Sequence, residues 1–318
     1  MSIAIRLIMV LTAMLLWNNA NAAEELVLAT PNGNLSGTLE LPNGSGPFPV
    51  VLMIAGSGPT DRDGNNASGL QTNAYKLLAE GLAKNNIASL RFDKRGIGKS
   101  SSAATSEADL RFETYVNDAV AWLELLSKDS RFSKRFVIGH SEGSLIGMLA
   151  AQKTRIDGFI SIAGAGRSID EILLEQLAAQ LPADQLEETR RILGELKLGR
   201  SIAHPEEKLG AQLAAILFRP SVQPYLISWL KYDPALELAK LKTLSLIIQG
   251  TTDVQVGIKD AERLASAISQ KPILIEGMNH VFKSATLEPT SQNATYTNPD
   301  VPLVPELLEV ILKFIRAN

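Results

Sequence analysis

The chain has 318 residues, of which 45% are hydrophobic and 20% are charged, and its formal net charge is −3 at pH 7. This composition is typical of a folded globular protein and excludes a disordered or fibrous chain. Lys and Arg are scattered without a basic stripe, so we expect no nucleic-acid partner. The chain has no cysteine, which excludes disulfides, a thiol nucleophile and cysteine-ligated zinc.

Residues 1–22 have the features of a secretory signal peptide. Arg6 supplies a positive charge, and residues 7–17 form an apolar run that is too short to span a bilayer. Small residues at Ala20 and Ala22 predict cleavage after Ala22. We therefore expect an exported protein, periplasmic or secreted, with no stable membrane association after processing. An uncleaved N-terminal anchor is the alternative.

Beyond this segment, the pattern predicts an antiparallel hairpin followed by alternating strands and helices. The hairpin strands, 25–29 and 35–41, flank an Asn-Gly turn. Later strands are apolar on both faces, which is typical of a mostly parallel, doubly wound sheet covered by helices. These strands are predicted at 50–54, 88–92, 136–138, 158–163, 244–249 and 273–275. Helices are predicted at 74–84, 114–126, 144–152, 259–268 and 306–315.

Residues 167–232 interrupt this alternation. The segment is rich in Leu, Ala, Glu and Gln at helical spacing, contains four prolines, and shows no strand pattern. We interpret it as a helical cap inserted between two parts of an α/β core, 23–166 and 233–318. Residues 287–302 are rich in Pro, Thr and Asn and predict a long loop.

The strongest chemical signal is a G-x-S-x-G motif that runs from Gly139 to Gly143 and has Ser141 at its centre. It directly follows an apolar strand and directly precedes a predicted helix. A serine on such a tight turn is held in strained backbone geometry, and only small residues two positions away avoid clashes. The motif therefore predicts Ser141 as a nucleophile.

A serine hydroxyl needs a general base, and the chain has three histidines. His140 lies inside the turn, so its side chain should point away from the hydroxyl, and His204 lies in the predicted cap. His280 follows a late strand and is the predicted base.

A carboxylate must orient the imidazole of the base. Asp253 is the first acid after the predicted strand 244–249, and it precedes His280. Asp260 is the nearest rival, but it lies at the start of the next helix and is interpreted as a charge that complements the helix end.

The oxyanion formed in such a reaction needs backbone N–H donors. One is predicted at Glu142, the residue after the nucleophile. The other should come from the loop after the strand 50–54, where Ser57 is favoured and Gly58 is the rival.

The sequence resembles the α/β-hydrolase superfamily of serine hydrolases, and within it the bacterial exported esterase-like group, over nearly all of the mature chain. The resemblance is carried by residues 56–64, 93–100 and 139–143, together with Asp253 and His280. It implies an α/β-hydrolase fold with the order Ser, Asp, His. The usual His-Gly of the oxyanion loop is replaced here by Ala55-Gly56.

Charged residues follow two of the predicted strands, namely Asp61, Arg62, Asp63, Asp93 and Arg95. We interpret them as a salt-bridge network between two loops, with substrate contact as the alternative. Residues 61–65 open like a calcium loop, but Asn66 and Thr72 occupy the positions that need Gly and Glu. We therefore predict no metal, and no cofactor motif occurs.

These features together predict a serine esterase that cleaves small-molecule carboxylic esters with small to medium acyl groups through an acyl-enzyme. A serine peptidase or aminopeptidase with the same triad is the first alternative, since Glu142 or a cap carboxylate could receive a substrate amino group. An acyl thioesterase and a catalytically silent binding protein are the others.

Overall fold

The computed structural model describes residues 22–318 except 105 and 179. The predicted signal peptide lies outside the described residues, apart from the backbone of Ala22. Eight strands form one sheet in the order β1-β2-β4-β3-β5-β6-β7-β8. They are β1 (Ala22–Thr30), β2 (Gly33–Leu41), β3 (Phe48–Ile54), β4 (Ala88–Phe92), β5 (Phe132–His140), β6 (Gly158–Ile162), β7 (Ser245–Gly250) and β8 (Ile273–Ile275).

The sheet is mostly parallel, with an antiparallel hairpin at one edge, as predicted. Strands β1 and β2 pair antiparallel, and β2 pairs antiparallel with β4. From β4 to β8 every neighbouring pair is parallel. The carboxyl ends of the parallel strands therefore meet at one edge, which is where ligands bind in open α/β sheets.

Helices cover both faces of this sheet. They are α1 (Ala74–Ala83), α2 (Phe112–Ser127), α3 (Glu142–Lys153), α4 (Ile169–Ala178), α5 (Ala183–Lys197), α6 (Glu206–Leu209), α7 (Ala211–Leu213), α8 (Gln223–Trp229), α9 (Pro234–Ala239), α10 (Ile258–Ala267), α11 (Pro289–Tyr296) and α12 (Pro305–Ala317). None of the helices among the described residues is both long and apolar enough to cross a membrane.

Alternate residues of the central strand β3 belong to two different hydrophobic clusters. Val50 and Leu52 pack in the cluster that contains Trp122 of α2. Val51 and Met53 pack in the cluster formed with α1 and α12. Since successive strand residues point to opposite faces, a strand covered on both sides must be apolar throughout. This explains the uninterrupted apolar runs in the sequence.

The segment predicted as a cap, 167–232, contains the five helices α4–α8 and a π-helical turn at Ala214–Phe218. It forms a hydrophobic cluster of its own around Leu193, Phe218 and Leu226. Its described residues contain no strand. The division into core and cap stays a prediction, and it agrees with this separate cluster.

The prediction of a long loop at 287–302 is wrong, because α11 lies within it. Pro289 occupies the first turn of this helix, where its missing N–H costs nothing. Gln292 and Thr295 are buried on the helix face that meets Asn279. The polar composition of the segment therefore reflects specific hydrogen bonds and not a lack of structure.

Candidate active site

Ser141 lies between β5 and α3 with φ 54° and ψ −121°, a conformation that L-residues rarely adopt. The chain can turn here because its two flanking glycines have no side chain. A Cβ on Gly139 would lie 2.3 Å from the Gly143 carbonyl oxygen, and a Cβ on Gly143 would lie 2.2 Å from the Ile54 carbonyl oxygen. The glycines of the G-x-S-x-G motif are thus required by backbone contacts, as the sequence analysis argued.

His280 and Asp253 are in direct contact. The Nδ1 atom of His280 lies 2.8 Å from Oδ2 of Asp253, and both side chains are buried. Oδ1 of Asp253 accepts the backbone N–H groups of Gln255 and Val256. Burial alone would raise the pKa of Asp253, but the His280 ring and these hydrogen bonds outweigh it and hold the pKa below its usual value. The carboxylate is therefore ionised and aimed at the imidazole.

The loop that carries His280 is fixed by the buried side chain of Asn279. Its Oδ1 accepts the backbone N–H groups of Val281 and Lys283, and its Nδ2 donates to Thr295 Oγ1 at 2.7 Å. Helix α11 thus holds the loop from outside. The sequence pattern did not indicate this role, because the Pro, Thr and Asn of the segment 287–302 are typical of a loop.

Ser141 and His280 line the same small cavity of about 100 Å³. Within residues 22–318, as far as they are described, no hydrogen bond joins Ser141 Oγ to the His280 ring. Such contacts are often long in free enzymes and shorten when substrate binds. The structure therefore brings the three predicted triad residues to one edge of the sheet, with the Asp253–His280 contact already formed.

The predicted oxyanion donors lie beside Ser141. Glu142 is the first residue of α3, where N–H groups have no partner within the helix. The Ser57 N–H makes no hydrogen bond to any described residue, and Ser57 lines both cavities that reach Ser141. By contrast, the N–H of Gly56 donates to the Tyr75 hydroxyl at 3.1 Å. Both predicted donors are thus free to bind an oxyanion.

A chain of uncharged groups, here called the neutral network, links Gly56 to the His280 loop through Tyr75 and His140. The Tyr75 hydroxyl lies 2.6 Å from His140 Nδ1, and His140 Nε2 lies 3.0 Å from the His280 carbonyl oxygen. Because a carbonyl only accepts, Nε2 carries the proton and Nδ1 accepts from Tyr75. Burial and the nearby His280 hold the pKa of His140 well below its usual value, which keeps the ring neutral. His140 thus serves as a structural link, away from the Ser141 hydroxyl.

A second set of contacts, here called the charged network, joins Lys94, Glu142 and Tyr225. Lys94 Nζ lies 3.0 Å from Glu142 Oε2, and each of the two side chains is only 3% exposed. The Tyr225 hydroxyl donates to the other carboxylate oxygen of Glu142. Lys94 Nζ also donates to the Gly56 carbonyl at 2.5 Å. Both networks therefore end on Gly56.

Sequence analysis did not single out Tyr75, Lys94 or Tyr225 as site residues. Lys94 offered one signal, because it is the second residue after β4, a strand whose five residues are all buried. A lysine at that position lies just beyond the carboxyl end of a buried strand, at the edge of the sheet where the site forms. Tyr75 and Tyr225 lie on helices whose placement only the fold provides.

The charged loop residues form salt bridges, as interpreted from the sequence. Arg62 binds Asp93 at 2.7 Å, and Arg91 binds Asp63 at 2.8 Å. Arg95 donates to the two carboxylate oxygens of Asp118 of α2 from Nε and Nη2. These pairs connect the two loops to each other and to the sheet.

Asp61 accepts the backbone N–H groups of Asp63 and Asn65, so one of its oxygens is occupied within its own turn. Among the described residues, no group of three or more His, Cys, Asp or Glu side chains could hold a metal ion.

The remaining candidates have other contacts. His204 is exposed and pairs with Glu206. Asp260, the rival to Asp253, is fully buried, and its carboxylate accepts from Gly166 N–H and from Arg167. Its interpretation as a charge that only complements a helix end was therefore incomplete, because it anchors the start of the predicted cap.

A larger cavity of about 440 Å³ opens between Ser141 and the helices of the predicted cap. Its walls are mainly apolar and include Ile169, Ile172, Leu173, Ile216, Leu217, Leu226 and Trp229. The charged residues that line it are Glu142, Arg167 and Arg219. Its size and apolar walls are typical of a small-molecule pocket.

The eight-stranded, mostly parallel sheet and the strained serine that follows β5 define this chain as an α/β-hydrolase of the serine hydrolase class. Residues 69–283 match the family described as serine aminopeptidase, S33. The match covers more than half of the chain, which therefore belongs to that family.

Known proteins similar to this chain include several esterases. Esterase EstD of Thermotoga maritima is 30% identical over 262 residues, covering 80% of this chain but 59% of EstD, so the chain spans less than two thirds of that relative. Est1E from Butyrivibrio proteoclasticus, solved with ferulic acid bound, is 17% identical with a TM-score of 0.60, covering 92% of this chain and 100% of the other. A thermophilic esterase from Thermogutta terrifontis is 19% identical with a TM-score of 0.53, and the match covers 93% of this chain and 98% of the esterase. The solved structures share the fold.

Proposed function

We propose that this protein hydrolyses carboxylic esters. Ser141 Oγ attacks the ester carbonyl while His280 takes its proton, and Asp253 stabilises the charged imidazole. The N–H groups of Ser57 and Glu142 bind the oxyanion. The acyl-enzyme forms as His280 returns the proton to the leaving alcohol, and a water molecule activated by His280 then releases the acid.

The observation that carries this proposal is the apolar cavity of about 440 Å³ beside Ser141. An acyl group of small to medium size would bury its carbon chain against those walls, at about 25 cal/mol for each Å² of apolar surface removed from water. The similarity to EstD favours the same chemistry.

The family description names an aminopeptidase, and that activity is the second candidate. An aminopeptidase needs a carboxylate that can receive the ammonium group of its substrate. Among the described residues that line the cavity, Glu142 is the only carboxylate, and both of its oxygens already bind Lys94 and Tyr225. Arg167 and Arg219 would repel an ammonium group there. The charged residues of the lining therefore disfavour a substrate whose acyl group carries an ammonium group.

A matched pair of substrates separates the two activities. The p-nitrophenyl esters of 4-methylpentanoate and of leucine differ only in the amino group. We expect a higher kcat/KM for 4-methylpentanoate, and little hydrolysis of leucine p-nitroanilide. A clear preference for the leucine ester, together with rapid anilide hydrolysis, would contradict the esterase proposal. The Ser141→Ala variant is the control, and a fluorophosphonate probe should label the parent protein but not this variant.

The two cavities also suggest how the ester is oriented. His280 lines the cavity of about 100 Å³ and is absent from the wall of the larger one, and it must protonate the leaving alcohol. We therefore place the alcohol in the smaller cavity and the acyl group in the larger one. The smaller cavity has about a quarter of the volume of the larger one, so we expect the longer of the two ester chains to be on the acyl side.

Two isomeric esters test this orientation. Ethyl octanoate and octyl acetate share one molecular formula but exchange the long chain between acid and alcohol. We expect a kcat/KM at least about tenfold higher for ethyl octanoate, since one well-buried apolar segment is worth 1–3 kcal/mol. Leu70→Ala would widen the smaller cavity and should therefore lower the ratio of kcat/KM for ethyl octanoate to that for octyl acetate. Leu173→Ala, in the larger cavity, should leave octyl acetate turnover less affected than ethyl octanoate turnover.

A further inference from the structure

Lys94 is a buried cation that the proposed ester hydrolysis does not use directly. Its ammonium group lies 3.0 Å from Glu142 Oε2, 2.5 Å from the Gly56 carbonyl oxygen and 5.2 Å from the centre of the Tyr115 ring. Burying an ammonium group is costly unless its partners replace water. A cation retained at this depth beside the nucleophile therefore calls for an explanation.

The Gly56 carbonyl belongs to the same peptide unit as the Ser57 N–H. A trans peptide is planar, so its C=O and N–H point in opposite directions. The only cis peptide among the described residues is Gly46-Pro47. When Lys94 holds the Gly56 carbonyl on one side, the Ser57 N–H is therefore fixed on the other.

This peptide unit lies against the nucleophile. A Cβ on Gly56 would lie 3.2 Å from Ser141 Cβ and 3.3 Å from His140 Nδ1. The unit needs a fixed orientation because Gly56 has no side chain to limit rotation of the backbone. Tyr75 holds the preceding Gly56 N–H, but it does not hold the Gly56–Ser57 peptide itself.

We infer that Lys94 is a positioning residue for the oxyanion site: it orients and polarises the Gly56–Ser57 peptide, and through Glu142 it ties that peptide to the residue that supplies the second donor. A charged donor on the carbonyl makes the N–H of the same peptide a stronger donor, since hydrogen bonds in a chain polarise one another. This inference rests on the proposed ester hydrolysis.

If Lys94 has this role, replacing it should weaken the binding of the transition state and leave the binding of the substrate nearly unchanged. Deleting one oxyanion donor outright lowers kcat by about 10²–10³-fold. Lys94→Met leaves the Ser57 N–H in place but releases its peptide, so kcat should fall by about 10- to 100-fold with KM changed by less than about threefold.

The test compares Lys94→Met with Arg95→Met. Arg95 is the next residue, also forms a buried ion pair, with Asp118, and donates to neither Gly56 nor Glu142. For each variant, kcat and KM are measured on ethyl octanoate, and the dissociation constant is measured for an alkyl trifluoromethyl ketone. This ketone adds to a serine hydroxyl and places an oxyanion between the two donors.

In Lys94→Met, we expect ketone affinity to weaken by the same factor as kcat falls, whereas in Arg95→Met both should stay within about threefold of the parent protein. If the two variants lose thermal stability alike while kcat and ketone affinity are unchanged in both, Lys94 has only a structural role and the inference is wrong. An increase in KM with kcat unchanged would also overturn the inference.

Lys94→Gln serves as a second variant should Lys94→Met not fold. It keeps an N–H donor without the charge and should lie between the parent protein and Lys94→Met in both quantities. Parent-like values for both in Lys94→Gln would overturn the role of the charge. A parent protein that neither turns over esters nor binds the ketone would instead refute the proposed function, and the inference with it.

Discussion

The neutral network and the charged network hold the same glycine in different ways, and their tyrosines, Tyr75 and Tyr225, pack in different hydrophobic clusters. The neutral network accepts the Gly56 N–H through Tyr75 and leads to the His280 backbone. The charged network donates to the Gly56 carbonyl through Lys94 and leads to Tyr225 in the predicted cap. One network therefore links Gly56 to the loop of His280, the proposed base, and the other links it to Glu142, which lines the larger cavity.

The difference between them is energetic. Every polar atom of the His140 ring has a partner without any ion being buried, so this network needs little compensation for lost hydration. Lys94 and Glu142 must offset the removal of two charges from water. The charged network should therefore be more sensitive to the loss of one member, and the neutral network should respond mainly to pH.

The largest effect on kcat should come from removing the charge of Asp253, which lies against the proposed base His280. Asp253→Asn would replace an acceptor at His280 Nδ1 with an amide and favour the wrong imidazole tautomer. We expect kcat to fall by about 10⁴-fold with the fold retained. Asp260→Asn is the matched control, since that carboxylate is also buried but binds Arg167, and its kcat should change by less than about tenfold. Comparable losses in both variants would remove Asp253 from the proposed triad.

The next largest effect concerns the stability of the charged network. Lys94→Met leaves Glu142 buried with Tyr225 as its only side-chain partner, and Glu142→Met leaves Lys94 without its anion. Each should lower the free energy of unfolding by about 3–5 kcal/mol. The double variant buries neither charge, so its loss should be smaller than the sum of the two single losses.

Urea unfolding of the four proteins in this double-mutant cycle gives the coupling energy. A coupling near zero would mean that the two side chains do not stabilise each other, and that the contrast between the networks is not one of charge.

The sequence predicted the sheet, its edge hairpin and the position of most helices because apolar periodicity is set by burial on each face. It also predicted Ser141, His280 and Asp253, since each follows a strand and these strands end at one edge. The same reasoning missed Tyr75 and Tyr225, which reach the site from the first turns of two helices, α1 and α8. Their roles depend on the distance between elements, which no local pattern contains.

Helix α11 was missed for a related reason. Pro, Thr and Asn favour loops in isolation, but Gln292 and Thr295 gain buried partners from Asn279. Tertiary hydrogen bonds thus outweighed local propensity. Lys94 lies within the segment 93–100 that carries the family resemblance, but its partners Gly56 and Glu142 are distant in the sequence, so no local pattern indicates its role.

A smaller effect is expected from the neutral network. Tyr75→Phe removes the hydroxyl that accepts the Gly56 N–H and donates to His140 Nδ1. Two buried polar groups lose their partner, so the free energy of unfolding should fall by about 1–3 kcal/mol. Tyr232→Phe is the matched control, because that hydroxyl binds Glu113 and is only half-buried. Its loss should stay below about 0.5 kcal/mol. Equal losses in the two variants would show that the neutral network contributes nothing specific.

The smallest effect is a slope of stability with pH. Burial, followed by the charges of His280 and Lys94, lowers the pKa of His140, and Asp253 opposes this only in part. A histidine in the unfolded chain titrates near about pH 6.5, so below that pH the unfolded state binds a proton that the folded state refuses. The contribution of His140 to stability must therefore fall as pH falls from about 6.5, by at most about 1.4 kcal/mol for each pH unit.

His140→Gln removes this titration but keeps a donor and an acceptor in the ring's place. The variant should be less stable than the parent protein at pH 8, and the gap should narrow steadily as urea unfolding is repeated down to pH 5. The titration of carboxylates that both proteins share cancels in the difference between their free energies of unfolding. The change of this difference with pH therefore reports on residue 140. If the two stability curves run parallel across this range, His140 takes up a proton equally well in both states. The folded protein would then not hold His140 uncharged, and the distinction between the neutral and the charged network would fail.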